Sequence, residues 1–206
     1  MNFLAHCALG SAHPHYLVGG FLGDFIKGGV PTDLPVGIRT GVRLHRRIDA
    51  FSAVQGDIKA SVARLPPTSR RLAPVFIDLV ADHFLARHFQ SAHDEPLADF
   101  AMHAYEILAD YEDYFPTQAV RFSRFMREHD LFGRYVDLDP VERAFSRIAQ
   151  RLGREETVAE SMAALRTDYL DFEGDFLRYY PALRTHVAEW LAGEQRRAIS
   201  AEQRSW

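Results

Sequence analysis

The segment Gly41–Asp49, GVRLHRRID, sets the strictest condition on what this chain can fold into. Ile38, Val42 and Ile48 recur at helical spacing, so the segment is expected to be a helix buried on that side. His45 and Asp49 stand four residues apart and project among these apolar residues, one turn above the other. An ionised carboxylate on a buried face needs a cation, a metal or several donors to offset its lost hydration. Arg39, Arg43, Arg46 and Arg47 fall within a sector of roughly 100° beside the His45/Asp49 line. One helix thus pairs a candidate metal site with a basic strip.

The rest of the chain reads as helices around it. No Val/Ile/Thr alternation or Asn-Gly hairpin signal argues for a sheet, so the fold class is all-α. The length of 206 residues suits one domain, and 15 Phe with 8 Tyr can fill a sizeable core. Helices are expected over about Asn2–Ser11 with Asn2 as its cap, and from Pro35 through Asp49. Others follow over Val54–Leu65, Arg70–Gln90, Pro96–Tyr114, Thr117–Glu128, Pro140–Leu152, Ala159–Tyr180 and Pro181–Ala192. Thr68 or Ser69 would cap the Arg70–Gln90 helix, whose first turns tolerate Pro74. Residues 1–192 then form a single-domain multi-helix bundle, followed by a polar C-terminal tail, 193–206, that frays from Arg196 to Trp206.

A formal net charge of −4 argues against wholesale binding to nucleic acid, leaving room for a local basic strip to hold an anionic partner. The single cysteine, Cys7, excludes an intramolecular disulfide and suggests a reducing compartment. The N-terminus lacks a basic n-region, and no segment approaches 18 uninterrupted apolar residues. The expected setting is cytoplasmic, with no membrane partner.

Seven acidic and imidazole residues in the first part of the chain form the candidate constellation: His6, Asp24, His45, Asp49, Asp78, Asp82 and His83. Singly, each has a plain reading as a hydrogen-bonded core histidine or an arginine partner. Together on inner helix faces they would need many separate compensations, whereas one divalent cation satisfies them at once. Imidazole and carboxylate ligands without thiolates suit Mn²⁺, Mg²⁺, Fe²⁺ or Zn²⁺ in an open hydrolytic site. The chemistry that follows is hydrolysis with water as nucleophile, and no G-x-S-x-G, P-loop or G-x-G-x-x-G context competes with it. The arginine strip, extended by Arg70 and Arg71, can grip a phosphate or dock an acidic protein that carries one. The aromatic run Tyr105, Tyr111, Tyr114, Phe115, Phe122 and Phe125 reads as core packing.

Four ordered motifs carry a resemblance: NFLAH at Asn2–His6, the glycine-rich stretch ending in Asp24-Phe25, HRRID at His45–Asp49, and DHFLARH at Asp82–His88. With them the chain resembles bacterial acyl-carrier-protein phosphodiesterase, also called holo-ACP hydrolase, from residue 1 to about 192. The resemblance implies a divergent, HD-domain-like metal phosphohydrolase that converts holo-acyl carrier protein to apo-protein and 4′-phosphopantetheine with a divalent cation, typically Mn²⁺. It supports His6, Asp24, His45, Asp49, Asp82 and His83 as site residues, with Asp78 brought in by its place one turn before Asp82. The adjacent His-Asp pair of ordinary HD enzymes is absent, Asp82-His83 having the reverse order. On this reading the metal ligands come from His6, Asp24, His45, Asp49, Asp78 and Asp82, with Asp24, His45 and Asp49 foremost. Asp24, His45, Asp82 and His83 are the catalytic candidates, and Arg39, Arg43, Arg46 and Arg47 receive the acidic carrier. Two other readings stand beside it: a general phosphohydrolase of small nucleotides or phosphodiesters, and a non-catalytic helical binding protein whose His/Asp cluster is a polar core network.

Overall fold

A computed structural model describes residues 1–202, and among these there are α-helices and short 3₁₀ turns but no strand. The helices are α1 (Phe3–Leu9), α2 (Pro14–Leu22), α3 (Val36–Ser52), α4 (Gly56–Arg64), α5 (Ala73–Arg87) and α6 (Phe89–His93). They continue with α7 (Leu97–Asp110), α8 (Thr117–Glu128), α9 (Leu131–Arg134), α10 (Leu138–Arg151), α11 (Glu156–Thr167) and α12 (Tyr169–Glu202). The all-α expectation holds, and no helix among the described residues is long and apolar enough to cross a membrane.

Helix α5 is the centre of the bundle. Eleven of its fifteen residues are buried, so its sides must all be covered, as for a helix that is apolar nearly all round. Helix α3 is amphipathic instead, burying Ile38, Val42, Leu44 and Ile48 completely. Each such side chain contributes about 1.5–3 kcal/mol relative to an exposed one.

The glycine-rich stretch forms α2, packed closely along α3. A Cβ on Gly19 would run into the backbone of Ile38 and Gly41, and one on Gly41 would lie 2.6 Å from Tyr16 O. Only glycine at both positions lets the two backbones come this near.

Several local expectations are corrected. Asn2 occupies the N-cap position of α1, but its side chain makes no cap bond and its amide donates to Tyr135 Oη at 2.9 Å. The cap comes from Asp82 on α5, whose carboxylate accepts from Leu4 N at 2.8 Å and Ala5 N at 3.1 Å. A seven-residue helix is too short to persist alone, and this distant carboxylate supplies what its own N-cap does not.

Helix α5 begins at Ala73, with Leu72 rather than Thr68 or Ser69 at its N-cap; Ser69 instead meets Ser161 across to α11. The Ala159–Tyr180 helix is broken at Asp168, whose carbonyl accepts from Asp171 N and Phe172 N to open α12. Pro181 does not start a helix: α12 runs through it. An internal proline costs about 3 kcal/mol, offset here by the buried side chains on both sides of it, Tyr179, Tyr180, Leu183 and Val187. No element boundary falls at residue 192, since α12 continues to Glu202. The expected fraying of the tail concerns in part residues 203–206, which lie outside the described residues.

Candidate metal centre

Helices α1, α2, α3 and α5 converge on one cluster. His6 of α1 and His45 of α3 stack face to face, ring centroids 3.7 Å apart and planes inclined by 17°. Both aim Nε2 at Asp49, His6 at Oδ1 (3.2 Å) and His45 at Oδ2 (3.3 Å). The i,i+4 spacing that sequence suggested for His45 and Asp49 is therefore realised, with His6 added from another helix. Ligand atoms of these three residues lie within 4.8 Å of one another.

Two neighbours fix His45. Its Nδ1 sits 2.8 Å from the carbonyl of Gly20, so Nδ1–H donates and the opposite nitrogen faces the carboxylates. Gly23, just beyond α2, leaves room for the ring: a Cβ there would overlap it. Asp24 follows directly, its Oδ1 3.9 Å from His45 Nε2.

The charges are strongly coupled. Burial disfavours the imidazolium of His45, yet Asp49 and Asp24 outweigh it and raise its pKa. Burial also opposes ionisation of Asp49, but the two histidines hold its carboxyl far below the usual range. Burial and the neighbouring His45 push His6 down to about 3, so it is neutral. His6 Nε2 lies between two acceptors, Asp49 Oδ1 and Met1 O at 3.2 Å each, while its buried Nδ1 has no partner among the described residues. Asp24 and Asp78 are raised by burial first of all.

Two imidazole nitrogens and a carboxylate thus face one point, with Asp24 nearby, and the lone pair of His45 Nε2 is stable there only against a proton or a cation. This nitrogen-and-oxygen donor set fits a divalent ion in a site open on one side, Asp49 being 48% exposed at its side chain.

The other candidates are placed differently. Asp78 pairs with the Met1 amino group at 2.6 Å, which also lies 3.9 Å from Asp49 Oδ1. Asp82 is fully buried and spends its oxygens capping α1, with burial raising its pKa to about 7. His83 points away from the cluster, Nδ1 to Tyr135 O at 2.8 Å and Nε2 to Tyr169 Oη at 2.7 Å. Of the arginines, Arg43 bonds Glu194 and Thr40, Arg47 bonds His186 at 3.1 Å, and Arg46 reaches Ile26 O at 3.2 Å. Arg39 is half-buried, its Nε without a partner among the described residues.

Residues 1–183 match the family model described as acyl carrier protein phosphodiesterase. The chain belongs to the acyl carrier protein phosphodiesterase family. A relative of that name from Klebsiella pneumoniae (strain 342) is 32% identical over 184 residues, 89% of this chain and 95% of its own. One from Enterobacter sp. (strain 638) is 30% identical over the same coverage, and one from Escherichia coli O157:H7 is 29% identical over 189 residues, 91% of this chain and 98% of its own. No solved structure matches the chain. The stretch matched to the acyl carrier protein phosphodiesterase model contains every candidate residue and ends inside α12.

Sequence reasoning missed Gly20 and Gly23 as supports of His45. Their signal was present as glycines one turn before and next to Asp24. It also missed a basic stripe on α10, Arg143, Arg147 and Arg151, although that spacing puts all three on one helix face.

Proposed function

We propose that this protein is a metal-dependent phosphodiesterase that cleaves holo-acyl carrier protein to apo-protein and 4′-phosphopantetheine. The observation that carries the proposal is the convergence of His6, His45 and Asp49 on one point, in a chain of this family over most of its length. The relatives bear the substrate in their names.

His6 and His45 through Nε2, and Asp49 through its carboxylate, would hold the cation, with Asp24 as a further oxygen donor. When bound, a divalent ion supplies charge neutralisation at a phosphoryl oxygen and a water acidic enough to act near neutral pH. Mn²⁺ suits this donor set, as do Mg²⁺, Fe²⁺ and Zn²⁺. Gly20 O orients His45, and Asp82 holds α1 so that His6 stays in register with it. Asp24, half-exposed at the open side and 3.9 Å from His45 Nε2, would complete the oxygen donors or orient a water held there.

Mass analysis of holo-acyl carrier protein incubated with the protein and Mn²⁺ tests the proposal. Loss of the prosthetic group is expected, and no loss when the cation is chelated. An unchanged mass in the presence of Mn²⁺ overturns it. Turnover of nucleotides as fast as holo-carrier protein would point to a general phosphohydrolase instead.

A further inference from the structure

A groove of about 980 Å³ opens between α8, α9 and α10. Its rim carries Arg121, Arg134, Arg143, Arg147, Arg151 and His129, and no Asp or Glu lines it among the described residues. That is unusual for a chain of net charge −4. All five arginines are exposed. Among the described residues only Arg143 has a carboxylate partner, Asp139 at 3.0 Å, an exposed i,i+4 pair of little strength. Arg147 lies over the ring of Phe125. The α3 arginines differ, since Arg43 and Arg47 are already engaged by α12.

The floor is apolar. Phe3 and Phe122 approach to 4.6 Å between centroids, with Phe25 6.1 Å from each, and all three are only partly buried. These residues neighbour the candidate metal centre in the chain. Phe3 starts the helix that bears His6, Phe25 follows Asp24, and Leu79, also lining the groove, follows Asp78.

Arg143, Arg147 and Arg151 form a stripe roughly 12 Å long at 1.5 Å per residue, with Arg121 and Arg134 on other elements of the same rim. A stripe of that length matches about two turns of an acidic helix, and the aromatic floor would take apolar side chains beneath it. A small phosphodiester would need one or two of these charges, not five.

Resting on the proposed function, we propose that this groove is the docking face for the acidic carrier protein, with an acidic helix of that protein laid along α10. Docking there would present the carrier to the Phe3 and Phe25 end of the groove, the part of its lining that neighbours His6 and Asp24 in the chain.

Binding of fluorescently labelled holo-acyl carrier protein to the full chain under chelation, where no turnover occurs, tests this directly. Arg121→Gln with Arg147→Gln should weaken binding about tenfold or more, and raising the salt concentration should weaken wild-type binding strongly. Arg121→Lys with Arg147→Lys should stay close to wild type, and Lys59→Gln on α4 serves as a control for surface charge. Circular dichroism confirms that each variant is folded. Binding by the double Gln variant equal to wild type overturns the docking face. So does tight binding of an RNA oligomer that the carrier protein cannot displace. If the groove variants weaken binding but wild type removes no prosthetic group with Mn²⁺, docking stands and the proposed reaction falls. If wild type removes the group and the double Gln variant binds unchanged, the reaction stands and this face falls.

Discussion

His6 and His45 stack at 3.7 Å and direct their Nε2 atoms to the two oxygens of one carboxylate, Asp49. Burial first, and then the neighbouring His45, lowers the pKa of His6, while Asp49 and Asp24 raise that of His45, so only one ring of the stacked pair carries a proton easily. On the proposed function, a bound divalent cation would require both rings neutral and both Nε2 lone pairs free.

The first prediction concerns that carboxylate. Mn²⁺ at about 100 times its dissociation constant should stabilise the wild-type protein by about 2.7 kcal/mol. Asp49→Asn should abolish this gain and lower turnover by about 100-fold or more, on the scale of losses at metal-supporting residues. Thermal melting with and without Mn²⁺, and turnover of holo-carrier protein, give the two readouts.

Gly23→Ala places a methyl group where the His45 ring lies, without demanding a forbidden backbone, as Gly23 is right-handed helical. The ring must shift. Mn²⁺ affinity should fall about 10–100-fold, while overpacking costs about 1–3 kcal/mol of stability. Isothermal titration and chemical denaturation separate the two effects, and an unchanged affinity would show that the position of His45 does not matter.

Asp82 distinguishes a helix cap from a metal ligand. Asp82→Ala leaves two buried N–H groups without an acceptor and should cost about 1–3 kcal/mol or more. Asp82→Asn keeps an acceptor oxygen and should recover part of that stability with Mn²⁺ affinity within a few-fold of wild type. If the Asn variant is as stable as wild type yet binds no cation, Asp82 is a ligand after all.

The pH dependence of stability has a separable contribution from a histidine on α6. His93 of α6 meets Tyr180 Oη at 2.7 Å, and burial lowers its pKa to about 4. Between pH about 6.5, the unperturbed imidazole value, and about 4, the unfolded chain binds a proton that the folded one refuses. Stability from this group is therefore complete above that window, falls as pH drops through it and stays flat below. The urea midpoint of wild type should decline more steeply from pH 6.5 to 4 than that of His93→Gln. His6 contributes with the same sign but is present in both proteins, so parallel curves would contradict the assignment to His93.

Much of this was legible in the sequence, and the failures share a cause. The Thr117–Glu128 helix and the α3 helix opened by Pro35 are set by local periodicity and a proline at the start, and both appear as expected. His45 and Asp49 are coupled by helix geometry alone, so their pairing could be read directly. Asp82 could not be placed, because its partners Leu4 N and Ala5 N are some 77 or 78 residues away and the choice between ligand and cap is a tertiary one. His83 shares a motif with Asp82 but leaves the next face of α5, toward Tyr135 and Tyr169. Pro181 misled because a buried flank of tyrosines and leucine outweighs a local preference. The basic groove was hidden because its arginines come from three segments of chain.

The central claim is that His6, His45 and Asp49 together hold a divalent cation. Crystals grown with Mn²⁺ and measured at the manganese absorption edge test it most directly. The account predicts one strong anomalous peak within coordination distance of both Nε2 atoms and an Asp49 oxygen. A peak that touches neither histidine, or none at a Mn²⁺ concentration that supports turnover, would contradict it.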